Sequence, residues 1–265
     1  MGLLRWQGAD GAMLYDPRQV HQPDPSLFDT ARWRAAGALT AADRGRGGAW
    51  FLRTGGDADD WVLRHYLRGG LVARWNPDRY WWRGEEATRP FRELRMTAAL
   101  HAAGLPVPAP VAARYVRAGF HYRADLLTVR IAGVRTLSAA LADWPVAVWT
   151  TVGQCLRRLH AAGAWHADLN AHNILVALPA VGAASSAAPS VHVIDWDRGR
   201  LLAGPLGQRA ARGNLLRLQR SLQKLALEAG WRTADAVAAW RELEAAYQGQ
   251  TLGQTLGQTL GQTLD

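Results

Sequence analysis

Only one cysteine, Cys155, occurs in the 265 residues, so no disulfide can form within the chain and a thiolate-rich zinc site is excluded. Beside Leu156 in a segment patterned as a helix, it reads as a buried, unreactive thiol. Lysine is equally scarce: of the 31 Lys and Arg residues, only Lys224 is lysine. No apolar run reaches the roughly 18 residues that a helix needs to cross a bilayer. The opening Met1-Gly2-Leu3-Leu4-Arg5-Trp6 lacks the basic-then-apolar order of a secretory signal. The expectation is a protein of the cytoplasm or of the cytoplasmic surface of a membrane. Acidic residues fall short of basic ones, 22 against 31, leaving a net charge of +9. That balance favours acidic partners: nucleic acid, anionic lipid, or small molecules bearing phosphate or carboxylate. Arginine suits the last group, because its planar fork grips such anions through paired hydrogen bonds.

What is present reads as an α+β chain in four stretches. Residues 1–44 contain Pro17, Pro23 and Pro25 and read as an irregular N-terminal extension, with a short helix at Leu27–Ala36. Residues 45–132 open on Gly45-Arg46-Gly47-Gly48, then carry strands at Ala49–Leu52 and Trp61–Tyr66, the pattern of a small antiparallel sheet. A helix is predicted over 88–103, started by Pro90 and stopped by Gly104, with Glu93, Met96 and Leu100 on one face. Leu105–Pro110 is extended, strands follow at Val111–Val116 and Ala124–Ile131, and Gly133 marks a hinge. Residues 133–247 are mainly helical, with helices predicted over 146–162, 209–229 and 233–247. Trp149, Val152, Leu156 and Leu159 form one apolar stripe, and Leu215, Leu218, Leu222 and Leu225 another. Short strands at Ile174–Leu178 and Val191–Trp196 flank an Ala- and Ser-rich loop, Pro179–Ser190. In residues 248–265 the tetrad Gly-Gln-Thr-Leu repeats four times. Glycine at every fourth position disfavours a helix, so this reads as a disordered tail with no catalytic role.

The chemistry concentrates in Trp165-His166-Ala167-Asp168-Leu169-Asn170-Ala171-His172-Asn173-Ile174-Leu175 and in Val193-Ile194-Asp195-Trp196-Asp197. Phosphoryl transfer from ATP needs a carboxylate to orient the attacking hydroxyl and accept its proton. It also needs oxygen ligands for the magnesium that neutralises the phosphate oxygens. A loop Asp followed five residues later by an Asn, just before a strand, can present both to one site. A second Asp at the end of the neighbouring strand completes the ligand set. Asp168 is therefore the candidate catalytic carboxylate, with Asn173 and Asp195 as candidate magnesium ligands. The uncommitted reading, ordinary loop caps and strand ends, would require residue type, order and context to coincide by chance.

The order His-x-Asp-Leu-x-x-x-Asn-Ile-Leu followed by Ile-Asp resembles the catalytic loop and metal-binding strand of the protein-kinase-like superfamily. The resemblance implies a two-lobed fold, with a small antiparallel-sheet N-lobe at 45–132 and a mainly helical C-lobe at 133–247. It places Glu93 where a helix glutamate pairs with a strand lysine. Here Arg64 stands at the lysine position, since the one lysine lies far downstream. Arg64 and Glu93 are thus candidate ATP-site residues. Gly45 and Gly47 admit two readings: a cover for the ATP phosphates, or only a tight turn. An arginine in place of the lysine also leaves a pseudokinase binding module open, against which the intact Asp168, Asn173 and Asp195 argue.

Further phrases resemble the bacterial 3-deoxy-D-manno-octulosonic acid (Kdo) kinase family over about residues 40–230. They are Trp61-Val62-Leu63-Arg64-His65-Tyr66, Arg68-Gly69-Gly70-Leu71-Val72-Ala73-Arg74, Gly104-Leu105-Pro106-Val107-Pro108 and Tyr122-Arg123-Ala124-Asp125-Leu126. Two more are the His166–Leu175 loop and Ile194-Asp195-Trp196-Asp197-Arg198-Gly199-Arg200. Trp196 stands where the pattern leads one to expect Phe. The resemblance implies ATP- and magnesium-dependent phosphorylation of a hydroxyl of Kdo linked to lipid A, at the cytoplasmic face of the bacterial inner membrane and without a membrane span. Arg68, Arg74, Arg79, Arg83, Arg209, Arg212 and Arg220 are candidate contacts to the anionic acceptor or lipid, or simply a solvated charged face. Trp75, Trp81 and Trp82 either dip into the interface or fill the core. His166 reads as holding the loop's shape, His160 as packing against that loop and His172 as supporting it. Other readings are an aminoglycoside-type or heptose kinase of the same fold, and a nucleic-acid-binding protein. No helix-turn-helix, zinc-finger or RNA-binding signature supports the latter, so no nucleic acid is expected.

Overall fold

The structure, a computed structural model, describes residues 2–41, 49–55, 60–68, 78–179 and 189–250. Gly45 and Gly47, Arg74 and Trp75, most of the 179–190 loop and the repeats beyond Gln250 lie outside the described residues. The chain forms two compact units, Met1–Ala132 with Trp196–Arg198, and Gly133–Asp195 with Gly199–Asp265.

The first unit contains β1 (Leu4–Gln7), β2 (Gly11–Tyr15), α1 (Thr30–Ala35), β3 (Leu39–Ala41), β4 (Ala49–Leu52), β5 (Trp61–His65) and β6 (Tyr80–Trp81). The helix α2 (Arg89–Ala102) and the long strands β7 (Pro110–Ala118) and β8 (His121–Val129) complete it. The strands form one sheet in the order β1-β2-β7-β8-β5-β4-β3, with β6 also on β8. Alternation along the central strands makes both faces of this sheet apolar. Ala12, Leu14, Ala113 and Leu126 join one cluster with Phe91 and Leu94 of α2, whereas Met13, Ala112, Leu63 and Leu127 join another. That second face is covered by Val20, Phe28 and Trp33. The stretch 1–44, expected to be irregular, is therefore corrected: it supplies β1, β2, α1 and β3. It also covers apolar side chains that the sheet would otherwise expose. Gly11 permits the β2–β7 pairing, because a Cβ there would stand 2.0 Å from the Tyr115 carbonyl oxygen.

The same alternation places the one cationic side chain of β5 that matters here. Trp61 and Leu63 point to the face lined by the N-terminal stretch, so Arg64 points to the α2 face. In α2 the buried stripe Phe91, Glu93, Leu94, Met96, Thr97 and Leu100 meets the sheet, and a thin layer of side chains brings Glu93 to Arg64.

The second unit contains β9 (Arg135–Thr136), α3 (Val146–Ala161), β10 (Ala164–Trp165), β11 (Ile174–Ala177), β12 (Ser190–Val193), β13 (Arg200–Leu201), α4 (Gln208–Glu228) and α5 (Thr233–Gln248). Its strands form a ribbon ordered β12-β11-β9 and a β10–β13 pair. The architecture is α+β, an antiparallel sheet unit and a mainly helical one, as the sequence indicates. The strand expected over Val191–Trp196 stops earlier because Asp195 takes a left-handed backbone, φ 64°. That region is open to Asp at lower cost than to most residues.

The helical unit is built on the α3–α5 crossing. The α3 stripe of Val148, Trp149, Val152, Leu156 and Leu159 is buried. Gly153 lets the helices approach so closely that a Cβ there would lie 2.2 Å from the Leu243 carbonyl oxygen. Cys155 is buried beside it, and burial pushes its thiol up to about 12, as expected of an unreactive cysteine. At the end of α3, the His160 Nδ1 pairs with the Tyr247 hydroxyl of α5 at 2.9 Å.

Two outcomes follow from this packing. Gly153→Val should force α3 and α5 apart and cost about 1–3 kcal/mol, read as a Tm lowered by several degrees in thermal unfolding. Burial lowers the His160 pKa to about 4, against a smaller opposing effect of its hydrogen bond to Asn214. The unfolded chain binds a proton at this position below about pH 6.5 and the folded chain does not, so stability falls as pH drops from there toward the folded value. In denaturant unfolding, the stability gap between wild type and His160→Gln should therefore shrink by about 2 kcal/mol between pH 7 and pH 5. A gap that stays constant would contradict this assignment.

Candidate active site

In the first unit, Arg64 bonds the Glu93 carboxylate, and the Tyr66 hydroxyl donates to the same oxygen, Oε2. Arg64 also stands 3.3 Å from the Tyr66 oxygen and 4.7 Å over its ring. Glu93 is 3% exposed while Arg64 is 26% exposed, so the carboxylate is sealed inside and the guanidinium reaches outward. A buried carboxylate is tolerable only with such partners. Burial and the Glu93 charge push the Tyr66 phenol well above its ordinary pKa, so it remains a donor. The structure thus joins Arg64 and Glu93 as the sequence suggests, and adds Tyr66, which the sequence reading passed over as a strand residue.

A second ion pair lies nearby in the same unit. Arg89, at the start of α2, binds Asp197 through two nitrogens, Nε at 3.0 Å and Nη2. Its guanidinium lies 5.2 Å over Tyr66 and 4.7 Å over Tyr80. Burial alone would favour loss of its proton, but the hydrogen bond and charge of Asp197 outweigh that and raise its pKa. Asp197 follows Asp195 by two residues, and Trp196 between them is buried. Nothing in the spacing of Arg89 and Asp197, 108 residues apart, signalled this pair.

In the second unit, Asp168 sits on the loop between β10 and β11. Its side chain is 63% exposed, but the backbone under it is tightly held. The buried His166 accepts from the Asp168 N–H through Nδ1 at 3.1 Å and contacts the Ile194 carbonyl through Nε2 at 3.0 Å. Those partners fix the tautomer with the proton on Nε2. Burial, foremost, lowers the His166 pKa, so the ring is neutral at pH 7. Its role is to shape the loop. Asn173 Nδ2 donates to the Asp168 carbonyl at 2.9 Å, and the Asn173 carbonyl accepts from Ile194 N–H at 3.0 Å. Asn173 is thereby bound both to Asp168 and to the residue before Asp195, which brings together the three positions singled out from sequence.

Neighbouring residues complete the loop. Asn170 Nδ2 donates to the Asp168 carboxylate at 3.2 Å and to its carbonyl at 3.1 Å, while Asn170 Oδ1 accepts from His172 N–H at 2.9 Å. His172 Nδ1 pairs with Ser138 Oγ at 2.8 Å, in keeping with a supporting role. From α4, the buried Asn214 donates to the His166 carbonyl at 2.7 Å and accepts from His166 N–H at 3.2 Å. His160 hydrogen-bonds this asparagine, and its ring packs on Tyr247. A single Asn on the apolar stripe of α4, between Ala211 and Leu215, was the available signal for Asn214.

Among the described residues, no three His, Cys, Asp or Glu side chains gather into a metal cluster. Asn173 and Asp195 nonetheless offer the hard oxygen donors that suit magnesium. Such ions commonly take only one or two protein ligands and complete their shell with phosphate and water. The arrangement offers an accessible carboxylate on a rigid loop, oxygen donors for a hard cation beside it, and in the other unit a guanidinium anchored on a buried glutamate.

Comparison with known proteins agrees with this geometry. Residues 30–247 match the model of the lipopolysaccharide kinase (Kdo/WaaP) family. The 3-deoxy-D-manno-octulosonic acid kinase of Stenotrophomonas maltophilia strain K279a is 44% identical over 216 residues, 81% of each chain. The protein of the same name from Xylella fastidiosa strain 9a5c is 40% identical over 237 residues, covering 89% of this chain and 87% of its own. Among solved structures, WaaP in complex with acyl carrier protein superposes with a TM-score of 0.48 at 20% identity, over 91% of this chain and 92% of its own. With its family model matched over residues 30–247, and relatives 40–44% identical across most of its length, the chain belongs to the lipopolysaccharide kinase (Kdo/WaaP) family.

Proposed function

We propose that this protein transfers the γ-phosphoryl group of ATP to a hydroxyl of Kdo linked to lipid A, with magnesium, in assembly of the lipopolysaccharide inner core. The observation that carries this reading is the accessible Asp168 carboxylate on a loop fixed by His166 and Asn173. Asp168 holds the acceptor hydroxyl and takes its proton as the oxygen bonds to phosphorus. The bond from phosphorus to the bridging oxygen breaks, and ADP leaves. Asn170 orients the carboxylate through its 3.2 Å contact. Asn173 and Asp195 would hold magnesium, which when bound neutralises charge on the phosphate oxygens. Arg64, steadied by Glu93 and Tyr66, binds phosphate oxygens in place of a lysine, and its fork can serve glutamate and phosphate together.

Membrane association is the finer part of the proposal. No helix among the described residues is long and apolar enough to cross a membrane. Two large side chains stand out from the edge of the sheet: Trp81 is 62% and Phe120 77% exposed. They are neighbours, since Trp82 N–H donates to the Phe120 carbonyl at 2.8 Å and Trp81 pairs with His121. Arg79, Arg83, Arg117 and Arg123 are exposed around them. Aromatic side chains ringed by arginine suit the headgroup layer of an anionic bilayer. Of the other candidates, Trp82 packs on Tyr115 and Tyr122, which favours its core-filling alternative, and Arg68 is engaged with the Arg79 carbonyl and the Tyr80 ring.

With labelled ATP, label should appear on Kdo-bearing lipid A precursor and not on the precursor lacking Kdo or on kanamycin. Asp168→Ala should lower kcat by roughly 100-fold or more while ATP binding, read by calorimetry, is kept; full activity in that variant would overturn the assignment. The double variant Trp81→Ser, Phe120→Ser should lose sedimentation with anionic vesicles while turnover of a deacylated, soluble acceptor is unchanged. Undiminished vesicle binding would remove this edge as the lipid contact.

A further inference from the structure

One face of α4 runs along the catalytic loop. Asn214, Arg217 and Ser221 follow at helical spacing: Asn214 clamps His166, Ser221 Oγ accepts from Ala171 N–H at 3.2 Å, and Arg217 Nη1 lies 3.6 Å from Asp168 Oδ1. The Asn214 and Ser221 contacts are hydrogen bonds to the loop backbone and are structural. The Arg217 contact is different. At 3.6 Å it exceeds the roughly 2.7–2.9 Å of a charge-assisted hydrogen bond. Arg217 is also 47% exposed, and no other bonded partner of its guanidinium is evident among the described contacts. Its fork is held beside the carboxylate without being consumed by it.

Arg217 also forms one wall of a cavity of about 620 Å³, whose other walls include Trp165, Arg209 and Gly213. This is the volume of a sugar-sized site. Trp165 is partly exposed, with Arg200 5.6 Å over its ring, and can offer a flat apolar face to a pyranose. Gly207 and Gly213 put no side chain into the space, and a Cβ at either would meet nothing within 4 Å. Two arginines, a tryptophan face and no acidic side chain on the wall suit an acidic sugar and disfavour a cationic aminoglycoside.

We infer that this cavity is the acceptor subsite, and that Arg217 binds the sugar carboxylate as the acceptor hydroxyl meets Asp168. The inference rests on the kinase reading above and deepens it by naming the residue that selects an acid-bearing acceptor. A hydroxyl within hydrogen-bond reach of Asp168 Oδ1 lies within a ring's width of Arg217, so one sugar can satisfy both. Arg209, further back along the wall, supports the same charge. The grip is on the ground state as well as the transition state, so its loss shows chiefly in KM.

The test compares three acceptors: Kdo-bearing lipid A precursor, the same molecule with the Kdo carboxylate esterified, and the same molecule with the lipid A phosphates removed. For wild type, esterification should raise KM roughly 10- to 100-fold, the effect of losing a hydrogen bond to a charged group, and removal of the phosphates should change it little. Arg217→Gln should raise KM for the acid by a similar factor and abolish the preference for acid over ester, with an unchanged melting temperature. Arg217→Lys should restore part of it. A purely structural Arg217 would instead lower kcat equally for both acceptors and keep the preference, which would overturn the inference. So would a wild type sensitive to the lipid A phosphates and indifferent to the ester. Should wild type label none of the three, the kinase reading falls on its own. Binding of free Kdo, measured by saturation-transfer NMR, then decides the subsite: lost in Arg217→Gln it stands, and equal in both proteins it falls.

Discussion

The loop that carries Asp168 depends on one neutral imidazole. His166 joins the Asp168 N–H to the Ile194 carbonyl, two segments brought together only by the β11–β12 pairing. A protonated ring has no acceptor nitrogen, so charge on His166 would release the Asp168 backbone. Burial keeps the ring neutral, and Asn214 keeps the backbone around it from moving. The position of Asp168 is thus set by groups that take no part in chemistry. Such support is what keeps an exposed carboxylate within a fraction of an ångström of one place.

The first unit solves a different problem, that of holding a charge pair against an apolar sheet. Glu93 lies on the buried stripe of α2 because the stripe's spacing requires it, and a carboxylate there is stable only if bonded. β5 supplies Arg64 and the residue just past its end is Tyr66, and both bond the same oxygen. The sheet can present this face because its other face is covered by residues of the N-terminal stretch. Removing that stretch would leave Leu63, Ala112 and Leu127 uncovered and would weaken the strand that carries Arg64. The N-terminal residues are part of the site's foundation, although none of them is near the chemistry in sequence.

What was legible in the sequence was local. The helices α2, α3, α4 and α5 could be read within a residue or two, because each has an apolar stripe at the helical period and a clear start or stop. The loop motif gave Asp168, Asn173 and Asp195, since their spacing is dictated by one loop and one hairpin. The strands β1 and β2 were not legible: β2 is buried at three successive residues and lacks the alternation of a half-exposed strand, and β1 is a mostly exposed edge strand with no buried face to mark it. Arg89 with Asp197, Asn214 with His166 and Arg217 with Asp168 were hidden for a second reason. Each joins residues far apart in the chain, and a single polar residue on a helix looks the same whether it meets solvent or another segment. Gly153 and Gly11 were likewise silent, because close approach leaves no pattern in one sequence.

The arginine at position 64 is best understood through its partner's burial. A lysine reaching Glu93 from β5 would give one compact charge, hydrated strongly and costly to strip of water. Arginine spreads its charge and keeps five donors in a fixed plane. Here one nitrogen serves Glu93, the plane stacks 4.7 Å over Tyr66, and a quarter of the side chain still meets solvent. Tyr66 donates to the same carboxylate oxygen that Arg64 bonds, so the buried charge of Glu93 is shared between two donors. Arginine at position 64 is thus accompanied by a tyrosine two residues on, and the two together hold the buried carboxylate of Glu93.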